Sequence, residues 1–168
     1  MKKLIALIIV FIITSCQNST SMGNSFYQMS KNYGKYMKEE FGLYLMEQPI
    51  FISQAGKKLR IDFYHYDEVE VRQARLLIHR CAKEALLRIN RTKDLSSLLH
   101  RFPLNENDLE ISISFIDRDT HKIQTRDHVA HVSLFNGRIH YSKFDKDSEN
   151  FEPIIQEDII VANKISCN

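Results

Sequence analysis

The second half of the chain holds histidines and a serine whose spacing could support catalysis or metal binding. An Asn136-Gly137 pair separates two runs in which apolar and polar residues alternate, a strong signal for a two-residue hairpin turn. Such a turn places Ser133 opposite His140, the pairing of a nucleophile with a general base. It also places His131 on the same face in diagonal register, so the two imidazoles could form half of a metal site.

Neither arrangement is complete in the sequence. A zinc site needs three or four converging ligands. His128 lies three residues before His131 and should face the other side of a strand, which leaves Asp127 or Asp145 to approach the pair. For the serine there is no G-x-S-x-G motif, orienting acid or oxyanion loop, and the common nucleotide-binding, zinc-protease and C-x-x-C motifs are absent. We therefore expect no catalytic residue, no metal site and no cofactor; if a metal were bound, His131 and His140 would be the candidate ligands.

Three predicted strands position these side chains. Leu109–Phe115, Val129–Phe135 and Arg138–Phe144 each alternate apolar with polar residues. The hairpin register pairs Phe135 with Arg138 and puts the apolar residues of its two strands on one face. We predict an antiparallel three-strand meander over about 109–145, covered on its apolar face by helices.

Helical periodicity is clearest from about Glu68 to Asn90, where Asp67 and Glu70 have capping-box spacing. The face of this helix opposite its apolar stripe is basic, so it is either solvated or meets anionic lipid or an acidic partner. A helical stripe over 26–47 fits a helix packed on the core, or alternatively a membrane-surface or partner-binding helix. The remaining expected elements are a strand over 59–66, a short helix over 95–101 and, for 151–165, a helix in preference to a strand. The sequence therefore predicts one α+β domain over 26–168, with an extra N-terminal helix and strand.

The first sixteen residues read MKKLIALIIVFIITSC, a basic start followed by an apolar run from Leu4 to Ile13. The run fits a secretory h-region and is too short to span a bilayer. Ile13-Thr14-Ser15-Cys16 resembles the lipobox of bacterial lipoproteins. The resemblance implies a signal peptide over 1–15, removed before Cys16, and a thiol that carries diacylglycerol. The new amine would receive an acyl chain such as palmitate.

Residues 16–25 are small and polar and read as a flexible tether behind the lipidated cysteine. Two or more acyl chains anchor a protein stably to a membrane. The lipoprotein resemblance thus implies a location in the bacterial cell envelope. Gln17, where Asp would favour the inner membrane, implies sorting to the outer membrane in a Gram-negative host.

Without Lys2 and Lys3, the 23 basic residues fall to 21 and balance the 21 acidic ones. This neutral body argues against general nucleic-acid binding, which needs a surplus of cations. Beyond Cys16 the remaining cysteines are Cys81 and Cys167, which allow one disulfide. The alternative is that Cys81 is a core residue on the apolar helix face.

Two helices followed by a three-strand meander also resemble, in element order only, the small accessory lipoproteins of outer-membrane β-barrel assembly. The glycine-rich helix start of that family is missing, and the N-terminal segment is additional. We expect a non-enzymatic binding or assembly module for an envelope protein. The alternatives are a surface-anchored hydrolase or metal-dependent enzyme that uses the His131 and His140 face, and a ligand-binding lipoprotein with an enclosed apolar cavity.

Overall fold

The computed structural model describes residues 25–52, 58–97, 99–124 and 128–160. The predicted signal peptide, Cys16, the tether up to residue 24, Asp127 and Cys167 lie outside these ranges. In chain order the elements are helix α1 (25–41), strands β1 (Tyr44–Ile52) and β2 (Leu59–His65), helix α2 (Val71–Arg91), short 3₁₀ helices at Lys93–Ser97 and Glu106–Asp108, and strands β3 (Leu109–Phe115), β4 (His131–Phe135), β5 (Arg138–Asp145) and β6 (Asn150–Asp158).

The six strands form one sheet in sequence order, β1-β2-β3-β4-β5-β6. All neighbours are antiparallel except β2 and β3, which are parallel. A parallel pair needs a long crossover connection, and α2 lies within that connection. The protein is therefore α+β, but the expected three-strand sheet is wrong: the meander β3–β5 is the centre of a sheet with β2 and β1 on one side and β6 on the other.

The hairpin register is confirmed. Ser133 pairs with His140, and Phe135 pairs with Arg138. Asn136 and Gly137 have φ values of 51° and 72°, the backbone geometry that a type I′ turn requires at both positions. The expected strand over 59–66 is confirmed as β2, and the expected long helix as α2.

Both helices contribute to the core on one face of the sheet. On α1, Tyr33 and Met37 are fully buried, and the Tyr33 ring lies edge-on to Phe63 of β2 with centroids 5.7 Å apart. The Tyr33 hydroxyl donates to the Cys81 carbonyl of α2 over 2.9 Å. Helix α1 therefore packs on the core, as the first interpretation of its stripe predicts.

The N-terminal helix is shorter than the sequence predicts. It ends at residue 41 instead of 47, because Gly42 takes φ 64° and its N–H bonds the Lys38 carbonyl over 3.1 Å. This left-handed glycine is a common helix terminator. The chain then enters β1 at Tyr44. Gly34 lets this strand approach, since a Cβ there would lie 2.9 Å from the Leu45 side chain.

Three further features of the fold differ from the sequence prediction. Residues 150–158 form strand β6, so the expected helix over 151–165 is wrong for 151–158, although residues 159–160 are helical and 161–165 lie outside the described residues. Pairing with β5 satisfies the backbone groups of β6 on that side, and Pro153 is tolerated because β6 is an edge strand.

At α2 the capping partner of Glu70 is Gln73, and not Asp67 as the spacing suggests. Gln73 Oε1 accepts the Glu70 N–H over 2.9 Å. The expected helix over 95–101 is a 3₁₀ helix at Lys93–Ser97.

Candidate functional site

Strand alternation divides the sheet into two faces. Residues such as Phe63, Ile113 and Val132 are fully buried beneath the helices. Their neighbours in the same strands are mostly polar or aromatic and half-buried, and α1 reaches them at one end, where Lys38 lies over Tyr44. We call this second surface the helix-free face. It consists chiefly of Arg60, Asp62 and Tyr64 on β2, Ser112 and Ser114 on β3, His131 and Ser133 on β4, and His140 and Ser142 on β5.

A fixed carboxylate lies at the centre of the helix-free face. Asp62 accepts a hydrogen bond from Ser112 Oγ over 2.6 Å and another from Arg60 Nε over 2.9 Å. Its side chain is only 13% exposed. Asp62 and Ser112 meet because β2 and β3 are parallel neighbours in register. The result is an oriented anion next to an exposed guanidinium.

His131 is the most enclosed imidazole of this face. Its Nδ1 lies 3.3 Å from Ser114 Oγ on β3, and its ring lies 5.4 Å from the Phe151 ring of β6. Burial lowers the pKa of His131, and the negative charge of Asp62 only partly opposes that shift. The imidazole is therefore neutral at pH 7 and can accept a proton.

The sequence-predicted constellation is only partly assembled. Ser133 and His140 are paired in register, as expected, but the serine that contacts an imidazole is Ser114. His131 pairs with Ser142, and among the described residues no three His, Cys, Asp or Glu side chains could hold a metal ion together.

The third histidine, His128, faces different partners. Its ring nitrogens lie 3.3 Å from Glu68 and 3.4 Å from Glu70, in the connection that precedes α2. It therefore diverges from His131, as expected, but because it lies in the connection before β4 and not through strand alternation.

An open depression of about 270 Å³ lies over this polar centre. Its lining includes Arg60, Asp62, Ser112, His131 and Ser133. The depression could hold a side chain or a small polar group. It is smaller than typical ligand pockets, which enclose about 300–1,000 Å³. Its size suits surface contact better than enclosure of a substrate.

A larger surface groove of about 560 Å³ runs beside α2, away from the polar centre. Apolar side chains of Leu86, Leu87 and Ile159 line it, together with His79. Burial lowers the pKa of His79, with the negative charge of Glu157 opposing the shift. A ligand-binding lipoprotein needs an enclosed apolar cavity, whereas this groove is open at the surface and is also lined by Lys83 and Glu106.

A cluster of three tyrosines, hereafter the tyrosine cluster, occupies the β1–β2 end of the helix-free face. Tyr44 and Tyr64 stack at 5.2 Å with ring planes 9° apart, and Tyr66 lies edge-on to both. Lys38 lies over the Tyr44 ring and Arg118 over the Tyr66 ring, at 5.0 and 5.3 Å. Burial and the hydrogen bond with Tyr66 raise the pKa of Tyr64, so its hydroxyl stays protonated.

Sequence reasoning missed the tyrosine cluster, although part of its signal was present. Tyr64 and Tyr66 alternate along β2 and its end, which places them on the polar face. The helical stripe over 26–47 includes Tyr44, so the sequence does not predict its position opposite Tyr64. Lys31, Lys35 and Lys38 of α1 border the cluster across a depression of about 440 Å³, which gives this corner a basic rim.

Cys81 is fully buried on the core side of α2. Burial raises the pKa of its thiol well above the ordinary value, so the thiol is protonated and unreactive at neutral pH. Because Cys167 lies outside the described residues, its pairing with Cys81 stays a prediction.

Comparison with known proteins adds no assignment. Searches with family models, curated proteins and solved structures found no significant match to this chain. Of the helices in the described ranges, none is both long and apolar enough to cross a membrane.

Proposed function

We propose that this chain is a lipid-anchored protein of the bacterial cell envelope whose α+β domain is a non-enzymatic binding module for another envelope protein. Cys16 is the lipidation site, and its acyl chains attach the domain to the bilayer. Outer-membrane sorting is expected in a Gram-negative host, because Gln17 follows the cysteine. The anchor is supported by the lipobox-like sequence.

The binding role is supported by one observation above all, the composition of the helix-free face. Tyrosine and arginine are, with tryptophan, the residues that most often dominate binding energy in protein interfaces. Here three tyrosines and Arg118 lie together at one end, and Arg60 with Asp62 lies at the centre. The basic rim of α1 favours a partner whose docking segment is acidic.

Site-directed photo-crosslinking in native membranes tests this proposal. A photoreactive amino acid replaces Tyr64 on the helix-free face or, as the control, Leu76, which is 39% exposed on α2. We expect one discrete adduct from position 64, lost when Tyr44 and Arg118 are both changed to Ala, and none from position 76. Equal labelling at the two positions, or none at either, would contradict the proposal.

A second candidate is a hydrolase that uses Ser114 and His131. The 3.3 Å approach of Ser114 Oγ to His131 Nδ1 favours it, because a neutral imidazole next to a hydroxyl can act as general base. Its test is labelling of the purified protein with a fluorophosphonate. A stoichiometric adduct on Ser114 that disappears in His131→Gln would establish the enzyme; an unlabelled protein favours the binding module.

A further inference from the structure

Strand β6 is an exposed edge of the sheet and carries apolar side chains. It pairs with β5 along its length, and no strand of the described chain pairs with its other side. Phe151, Ile154 and Ile155 are 44%, 43% and 45% exposed. An edge strand offers unpaired N–H and C=O groups to any extended segment that approaches.

Natural edge strands are usually protected against such pairing by proline, lysine or a bulge. Here Pro153 and a bulge at Ile154, the residue between the partners of Ser142 and Tyr141, protect the middle of β6. The part that follows, Ile155–Asp158, has no proline, lysine or bulge, and its one charge that faces the helices, Glu157, is paired with Arg75. The sequence contains no Lys or Arg from 147 to 160. The C-terminal half of β6 therefore remains a suitable template for another strand.

Charge selects the partner. Five acidic residues lie between 147 and 158, and Lys143 and Arg75 pair with two of them, Glu152 and Glu157. The other three, Asp147 and Glu149 before the strand and Asp158 at its end, make both ends of β6 acidic. A second copy would bring the same acidic ends, and like charges brought together destabilise a sheet. A strand with basic ends therefore fits this edge better than a second copy.

The two faces of β6 also set the pattern of the incoming side chains. Ile155 pairs with Tyr141 and so lies on the helix-bearing face, whereas Phe151 pairs with Phe144 on the helix-free face. A neighbouring strand would cover these side chains with apolar residues of its own.

We propose that β6 binds an extended segment of another protein, which adds a seventh strand to the sheet. The segment is apolar in its centre and carries Lys or Arg at its ends. Main-chain hydrogen bonds supply affinity, and the apolar and basic side chains supply selectivity. This edge is separate from the tyrosine cluster, so the inference goes beyond the proposed function and can fail without it.

The test uses the full lipidated protein in detergent and a nine-residue probe peptide of alternating valine and threonine with a lysine at each end. The control peptide has a glutamate at each end. The edge variant is Ile155→Lys, and the matched control is Leu76→Lys, which adds the same charge at a similarly exposed position on α2. Fluorescence anisotropy measures affinity, and amide hydrogen exchange locates the peptide.

We expect the lysine-ended peptide to slow exchange of the β6 amides and to bind at least about tenfold more tightly than the glutamate-ended one. Ile155→Lys should weaken binding about tenfold, and Leu76→Lys should leave it within about twofold. No binding at about 1 mM peptide, or protection outside β6, would overturn the proposal. Concentration-dependent dimerisation that Ile155→Lys abolishes would also overturn it, because the occupant would then be a second copy.

Discussion

The two faces of this sheet use the same strands for different purposes. On β2, Ile61 and Phe63 are fully buried under the helices, while Asp62 and Tyr64, which alternate with them, are half-buried on the helix-free face. The helix-bearing face is almost uniformly apolar, and the helix-free face holds oriented polar groups and stacked aromatic rings.

The difference shows which residues are constrained by folding. Burial of the apolar face supplies most of the free energy of folding, since each large side chain contributes about 1.5–3 kcal/mol when removed from water. The polar side chains of the other face contribute little net stability, because water would replace their hydrogen bonds on unfolding. They are therefore open to selection for binding.

The largest effect expected is that of a cavity under the helices. Phe63→Ala should lower the free energy of unfolding by about 3–5 kcal/mol, because Phe63 is fully buried against Tyr33. Tyr64→Ala, its neighbour on the other face, should cost about 1–2 kcal/mol through lost ring contacts. Urea unfolding at pH 7 measures both. Similar losses from the two variants would contradict the division between the faces.

The next effect concerns a polar group on the helix-bearing side. Arg75 Nε donates to Glu157 over 2.6 Å, and the Tyr141 hydroxyl also donates to this carboxylate. Glu157→Gln should cost about 1–3 kcal/mol at pH 7, because Arg75 then loses its charged partner in a largely buried site.

The same pair predicts a pH dependence. Burial alone would raise the pKa of Glu157, but the hydrogen bonds from Arg75 and Tyr141 outweigh it, and the pKa is lowered below the ordinary 4.5. The folded protein thus binds fewer protons than the unfolded chain below pH 4.5. The stability advantage over Glu157→Gln should be complete above that pH and shrink as the pH falls through the lowered value. An advantage that persists unchanged at pH 2.5 would contradict this origin.

A smaller effect is expected from the central carboxylate of the helix-free face. Asp62→Asn keeps an oxygen that can accept from Ser112, so the free energy of unfolding should change by about 1 kcal/mol or less. Urea unfolding at pH 7 checks this value. A loss comparable with that of Phe63→Ala would mean that the polar centre is part of the folding core.

The smallest effect is a difference in the slope of stability against pH. Because burial lowers the pKa of His131, the unfolded chain takes up a proton near pH 6.5 before the folded protein does. Wild-type stability should therefore fall as the pH drops below 6.5, and His131→Gln should remove part of that slope. His79→Gln, on the other side of the sheet, should remove a separate part, since burial lowers that pKa too. A slope unchanged in His131→Gln would contradict the shift.

Local signals predicted the centre of the fold well. Alternation identified β2, β3, β4 and β5, and Asn136-Gly137 fixed the β4–β5 register. The parallel pairing of β2 with β3 was not predicted, because residues far apart in the chain meet there through the α2 crossover. The sequence favours a helix over 151–165 because Pro153 suits the first position of a helix, but pairing with β5 makes 150–158 a strand.

The contacts of the candidate site can be predicted from the sequence only where a local turn fixes the pairing of the strands. The Ser133 and His140 pairing follows from the hairpin and was found. The approach of Ser114 to His131 depends on the β3–β4 register, which the connection over 116–130 leaves undetermined in sequence. The stacking of Tyr44 on Tyr64 required knowing that α1 ends at Gly42.

The most direct test of the account is the intact mass of the native protein, measured on membrane and soluble fractions of its own host. We predict a membrane-bound species that begins at Cys16 and carries one diacylglyceryl group and one acyl chain. Cys16→Ser should abolish both the cleavage and the added mass. A protein that begins at Met1, or that is cleaved elsewhere and found unmodified in the soluble fraction, would contradict the lipid anchor and the envelope role that depends on it.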